Sequence, residues 1–168
     1  MFDPDTPIII RAHTLLCLQG YQGEGYSPEF VTEMNRVSAV LRSNPSRNVK
    51  IIIGADNFCN VCPHHYKGRC IADDPDNVAI MMDSPDKMIE MDKRVLKWLG
   101  FPENIVVQWR MIVERISETV DSSSMDWLCQ DCSWRKYPFC SNALDALNRK
   151  YENGEELFPQ NVETSSGE

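Results

Sequence analysis

Cys59-Asn60-Val61-Cys62-Pro63-His64-His65-Tyr66-Lys67-Gly68-Arg69-Cys70 is a C-x2-C-x7-C triplet. Seventy residues later Cys129-Gln130-Asp131-Cys132-Ser133-Trp134-Arg135-Lys136-Tyr137-Pro138-Phe139-Cys140 repeats its spacing. Six of the seven cysteines therefore sit in two loops of matched length. A C-x2-C turn places two sulfurs on one side of a tight bend, where backbone N–H groups can reach the thiolates. Seven further residues suffice to fold a third sulfur back. Each triplet thus supplies three ligands and lacks one, whereas zinc and 4Fe-4S clusters both take four protein ligands, commonly cysteine.

The missing ligands are sought among Cys17, His13, His64 and His65. Arg11-Ala12-His13-Thr14-Leu15-Leu16-Cys17-Leu18 reads as a short helix ended near Gly20, and His13 and Cys17, four apart, share its face. Seven cysteines plus His13 make eight ligands, enough for two four-ligand sites. The expected metal and cofactor residues are accordingly Cys17, Cys59, Cys62, Cys70, Cys129, Cys132 and Cys140, with His13 as a metal ligand. His64 and His65 lie inside a loop, where exposed histidines without a ligand role are common. Pro63 and Ser133 stand where zinc knuckles often carry glycine, and proline beside a ligating cysteine is familiar from ferredoxin-type runs. With the aromatic residues that flank both loops, this leans toward iron–sulfur; zinc remains the alternative.

Composition frames the rest. The chain has 168 residues, 42% hydrophobic and 25% charged, as in an ordinary soluble globular domain. Its net charge of −8 makes duplex nucleic acid an unexpected partner, because phosphate contacts dominate that affinity. An acidic N-terminus, an early apolar run of only Ile8-Ile9-Ile10 and the lack of any ~20-residue apolar stretch point to the cytoplasm and away from the membrane. There the thiols stay reduced, so metal is a better reading than disulfides.

Around the loops the pattern predicts an α+β fold, mainly α, in which a small helical domain carries a short sheet of two or three strands and two cysteine-rich metal-binding loops. Pro7–Ile10 and Val49–Ile53 read as strands able to pair. Ser27-Pro28-Glu29 signals a helix start, followed by Phe30, Met34, Val37 and Leu41 on one stripe. Ser84-Pro85-Asp86 repeats the signature ahead of Met88, Met91, Val95 and Leu99, with Gly100 as the left-handed cap. Trp109, Ile112, Val113, Ile116 and Val120 mark another helix, and Ser141 is the expected cap of a final one carrying Leu144, Leu147 and Tyr151. The three glycines of Gly20–Tyr26 read as a connection between helices and the acidic run at Asp73–Asn77 as an exposed turn, since neither completes a phosphate or calcium loop. The folded domain is expected over residues 7–151. Residues 152–168 hold five Glu and no Lys or Arg, and read as a disordered tail.

Arg11-Ala12-His13-Thr14-Leu15-Leu16-Cys17, Gly23-Glu24-Gly25-Tyr26-Ser27-Pro28-Glu29-Phe30, Cys62-Pro63-His64 and Cys129-Gln130-Asp131-Cys132-Ser133-Trp134 together resemble domain of unknown function 1284, a family of bacteria and archaea. The resemblance runs from about Ile8 to Leu144. Members commonly read R-x-H-H-L-L-C, and Thr14 replaces the second histidine here, leaving His13 as the candidate. The resemblance implies iron–sulfur binding and brings no reaction with it. The functional expectation is a 4Fe-4S protein, with one cluster or two, in electron transfer or redox sensing with a redox partner protein. A structural zinc interaction module is the alternative, and an enzyme with an open cluster position a third reading. No catalytic triad or carboxylate pair names a reaction.

Overall fold

The computed structural model describes Asp3 and residues 5–158. Among these the chain is mainly helical with two small sheets. Strand β1 (Ile8–Arg11) leads into a short helix α1 (Thr14–Gly20), then α2 (Pro28–Ser43) and strand β2 (Asn48–Ile52). The first cysteine loop follows and contains a two-residue hairpin, β3 (His65–Tyr66) and β4 (Arg69–Cys70). Helices α3 (Val78–Asp83) and α4 (Lys87–Leu99), strand β5 (Val106–Gln108) and helix α5 (Trp109–Thr119) come next. The chain then forms α6 (Met125–Leu128), the second cysteine loop and α7 (Pro138–Glu152).

The expected strands do pair. β1 runs parallel to β2 in a register that sets Ile8 against Val49 and Ile10 against Ile51. Alternation puts Ile8, Ile10, Val49 and Ile51 on the buried face. β5 adds on the far side of β2, antiparallel. The periodic stripes of α2, α4 and α5 all turn inward: Met34, Val37 and Leu41, then Val95 and Leu99, then Ile112 and Ile116 are essentially inaccessible.

Helix ends show where local signals held and where they competed. Ser27 caps α2, its Oγ accepting from Phe30 N at 3.2 Å. Gly100 ends α4 at φ 72°, a conformation that favours glycine. Two expected caps are corrected. α4 is capped by Asp86, which accepts from Met88 N and Ile89 N, and not by Ser84. Ser84 instead closes the unanticipated α3, its Oγ donating to Ile80 O at 2.7 Å. Ser141 lies inside α7, with its Oγ donating to Pro138 O. The fixed φ of Pro138 starts that helix four residues earlier, with Tyr137 at the cap position.

Of the acidic segment expected to be disordered, residues 159–168 lie outside the described residues. Leu157 and Phe158, at its near end, pack partly buried against the core. No helix among the described residues is long and apolar enough to cross a membrane.

Candidate metal centre

The two C-x2-C turns adopt the same local structure. In the first, Cys62 N donates to Cys59 O at 3.2 Å and His65 N donates to Cys62 O at 3.1 Å. In the second, Cys132 N donates to Cys129 O at 3.0 Å and Arg135 N donates to Cys132 O at 3.3 Å. The 3-10 turns beside them differ in place: Cys59–Val61 lies between the paired cysteines of the first loop, and Ser133–Lys136 follows the pair in the second. The backbone N–H groups of His64 and His65 point at the Cys62 sulfur, and those of Trp134 and Arg135 at the Cys132 sulfur. Such donors stabilise a thiolate over a thiol. The 70-residue offset is thus a repeated turn.

The turns part at their third cysteine. Cys70 arrives on β4 of the small hairpin, whereas Cys140 lies in the first turn of α7. Asp56 and Asp126, which also stand 70 apart, differ as well. Asp56 is 4% exposed; its Oδ1 accepts from Phe58 N and Cys59 N, and its Oδ2 from Arg11 N at 2.9 Å. Burial raises its pKa against those hydrogen bonds. Asp126 is exposed and pairs with Arg135.

Cys17 joins the second triplet. Helix α1 packs against α7, and at the crossing Gly20 lies so close that a Cβ would stand 2.7 Å from Cys140 Cα and Phe139 O. With α1 seated there, Cys17 lies within electrostatic reach of Cys129, Cys132 and Cys140. Burial, followed by the neighbouring thiols, raises its pKa well above the ordinary thiol value. Burial likewise pushes Cys129 up to about 12 and Cys140 to about 11.

His13 goes elsewhere, although it lies one turn from Cys17. Its Nδ1 lies 2.8 Å from Asp92 Oδ1, and its backbone N donates to the same oxygen at 3.1 Å. A carboxylate only accepts, so Nδ1 is the donor in this contact. Asp92, fully buried on α4, also accepts from Arg11 Nη2 at 2.8 Å, Arg11 Nε at 3.1 Å and Gly54 N at 2.9 Å. Burial alone would raise Asp92, but His13 and Arg11 outweigh it and leave the pKa lowered. Arg11 then extends Nη1 to Cys59 Sγ at 3.7 Å. This buried unit of Asp92, Arg11 and His13 ties the first loop to β1 and α4. The sequence reading did not single out Asp92 or Arg11. The available signal was a carboxylate next to the apolar stripe of α4, one residue after Met91.

A cavity of about 100 Å³ lies between the two loops, and its lining includes Cys17, Cys59, Cys62, Cys70, Cys132 and His13. All seven cysteines are free thiols. Beside the first triplet, His64 Nδ1 and His65 Nε2 are buried without a hydrogen-bond partner. As the side chains stand, no group of three or more His, Cys, Asp or Glu among the described residues is arranged to hold a metal ion. The donor chemistry nevertheless suits a sulfur-bound metal: soft thiols of both loops line one cavity, N–H groups face two of the sulfurs, and neighbouring imidazole nitrogens lack partners.

No curated protein and no solved structure matches the chain. One family model does, over residues 25–138, a span that holds both C-x2-C turns and Cys70 but stops short of Cys140 and begins after Cys17. The chain belongs to that family, described as Protein of unknown function (DUF1284).

Proposed function

We propose that this is an iron–sulfur protein, of the 4Fe-4S type, acting in electron transfer or redox sensing in the cytoplasm with a redox partner protein. The observation that carries the reading is the packing of α1 on α7, which brings Cys17 within electrostatic reach of Cys129, Cys132 and Cys140. Together these four thiols, from segments far apart in sequence, would make up the ligand count such clusters take. Cys59, Cys62 and Cys70 would hold a second group with His13 as the fourth donor. When bound, a cluster supplies one-electron chemistry that side chains lack.

The chain's own residues have definable work. The N–H groups of His64, His65, Trp134 and Arg135 stabilise negative charge on Cys62 and Cys132. Hydrogen bonds to sulfur and local net charge set the potential of such centres. Arg11 donates to Cys59 at the first loop, while Arg94 and Arg135 lie near Cys129 at the second, so each centre would have cations beside its thiolates. Phe30, Phe58 and Trp134 line the shared cavity and limit access of water.

One observation favours zinc at the first triplet instead. Asp92 fixes the His13 ring through Nδ1, the arrangement in which a carboxylate orients a histidine that ligates through its other nitrogen. Three cysteines and such a histidine form a common structural zinc set. Anaerobic purification with iron, zinc and acid-labile sulfide analysis, together with visible absorption, separates the two. The expected result is a brown protein with sulfide equal to iron. Cys17→Ser should lower the iron content by the share of one centre while leaving the first loop loaded. A colourless protein with stoichiometric zinc and no sulfide would refute the iron–sulfur reading.

A further inference from the structure

Tyr26 stands between the two cysteine loops. Its ring centroid lies 4.7 Å from that of His64 and 5.1 Å from Trp134, both at tilted angles. His64 follows Cys62 by two residues and Trp134 follows Cys132 by two. Tyr26 therefore rests on the equivalent residue of each repeated turn. These are the residues whose backbone N–H groups face the Cys62 and Cys132 sulfurs. Both Tyr26 and Ser133, next to Cys132, line the cavity between the loops. Phe30, one helical turn into α2, supports the ring edge-on at 5.2 Å.

We propose that Tyr26 couples the two loops, so that metal loading at one raises the affinity of the other. The inference rests on the metal-binding reading above and adds to it a dependence between the sites. A ligating thiolate draws its N–H donors toward it, and at Cys62 one of those donors is the His64 backbone. Movement of His64 re-seats Tyr26, and Tyr26 bears directly on Trp134, a donor to Cys132. Ordering one loop thus prepays part of the ordering of the other, and the effect is reciprocal by linkage. Aromatic contacts of this kind carry modest energies, so a coupling through them falls in the range of about 2-fold to 13-fold in affinity.

Titration of the reduced, metal-free full chain with Co2+, followed by the sulfur-to-cobalt charge-transfer band, tests this. The unmodified protein should fill both loops in one cooperative transition. Tyr26 is 36% exposed, so Tyr26→Ala leaves the core intact. That variant should bind the same amount of cobalt in two stages, the second weaker by at least about twofold. Tyr26→Phe, which keeps the ring, should restore one transition. His64→Ala, which breaks the path from the first loop's side, should split the transition as Tyr26→Ala does and guards against a folding defect in the latter. Independent filling of the unmodified protein, a single cobalt per chain, or Tyr26→Ala with an unchanged curve overturns the coupling and leaves the metal reading standing. Absence of any sulfur-to-cobalt band overturns both.

Discussion

Replacing Asp92 by alanine should be among the most damaging single changes in the protein. Asp92 is fully buried and Arg11 only 6% exposed, and they share a bidentate contact. Removing one partner of a buried ion pair costs about 3–5 kcal/mol, because the other charge is left uncompensated. Here the lower end applies, since Asp56 remains near Arg11 and Cys59 Sγ accepts from its Nη1. The backbone N–H groups of His13 and Gly54 also lose their acceptor. A loss of about 3 kcal/mol against a total near 5–15 kcal/mol corresponds to a fall of roughly 6–12 °C in Tm for a chain of this size. Urea and thermal unfolding of the reduced, metal-free protein by circular dichroism reads it directly. Replacing both partners with apolar residues, Arg11→Met with Asp92→Leu, should recover much of the loss, since it leaves no unpaired charge. An Asp92→Ala cost below about 1 kcal/mol, or a double variant no more stable than the single one, refutes the argument that a buried charge is being neutralised there.

Gly20→Ala offers a test of opposite sign to ordinary helix propensity, which would favour alanine by up to about 1 kcal/mol. The new Cβ would meet backbone at 2.7 Å on α7, so a loss of about 1–3 kcal/mol is expected, with a weaker cobalt band from the second triplet as Cys17 is pushed away. Alkaline pH should destabilise the metal-free protein. Its thiols are held up in the folded state, Cys59 and Cys129 at about 12 and Cys140 at about 11, against an ordinary value of 9.0, with burial the first cause. Below pH 9 both states keep these protons and the stability is whole; as pH rises toward 11–12 the unfolded chain sheds them first, so stability falls. The urea midpoint should therefore drop between pH 8 and pH 10.5, and an unchanged midpoint would contradict the burial of these thiols.

The sequence by itself determined what local chemistry determines. Helical periodicity in Phe30–Leu41, Met91–Leu99 and Trp109–Val120 placed three core helices, because a side chain's face on a helix follows from its spacing alone. The two C-x2-C turns were legible for the same reason, their bends being closed by hydrogen bonds three residues apart. Strand β5 is three residues long and pairs with the edge of β2; the β-branched run Ile105-Val106-Val107 was its signal, too short to be read as a strand on its own. Ser84 and Asp86 are both competent caps two residues apart, and the choice fell to Asp86 once α3 ended at Ser84.

Tertiary structure alone decided how the ligand candidates divide. His13 and Cys17 sit one turn apart and read as neighbours on a single face, yet their contacts differ: Asp92 holds His13, and Cys17 lies near the thiols of the second triplet. Gly20 lets α1 press against α7, which carries Cys17 to the second triplet, while the buried carboxylate of Asp92 holds His13 beside the first. Those contacts join residues 79 positions apart in one case and 119 or 120 in the other, distances over which spacing carries no information and only packing does.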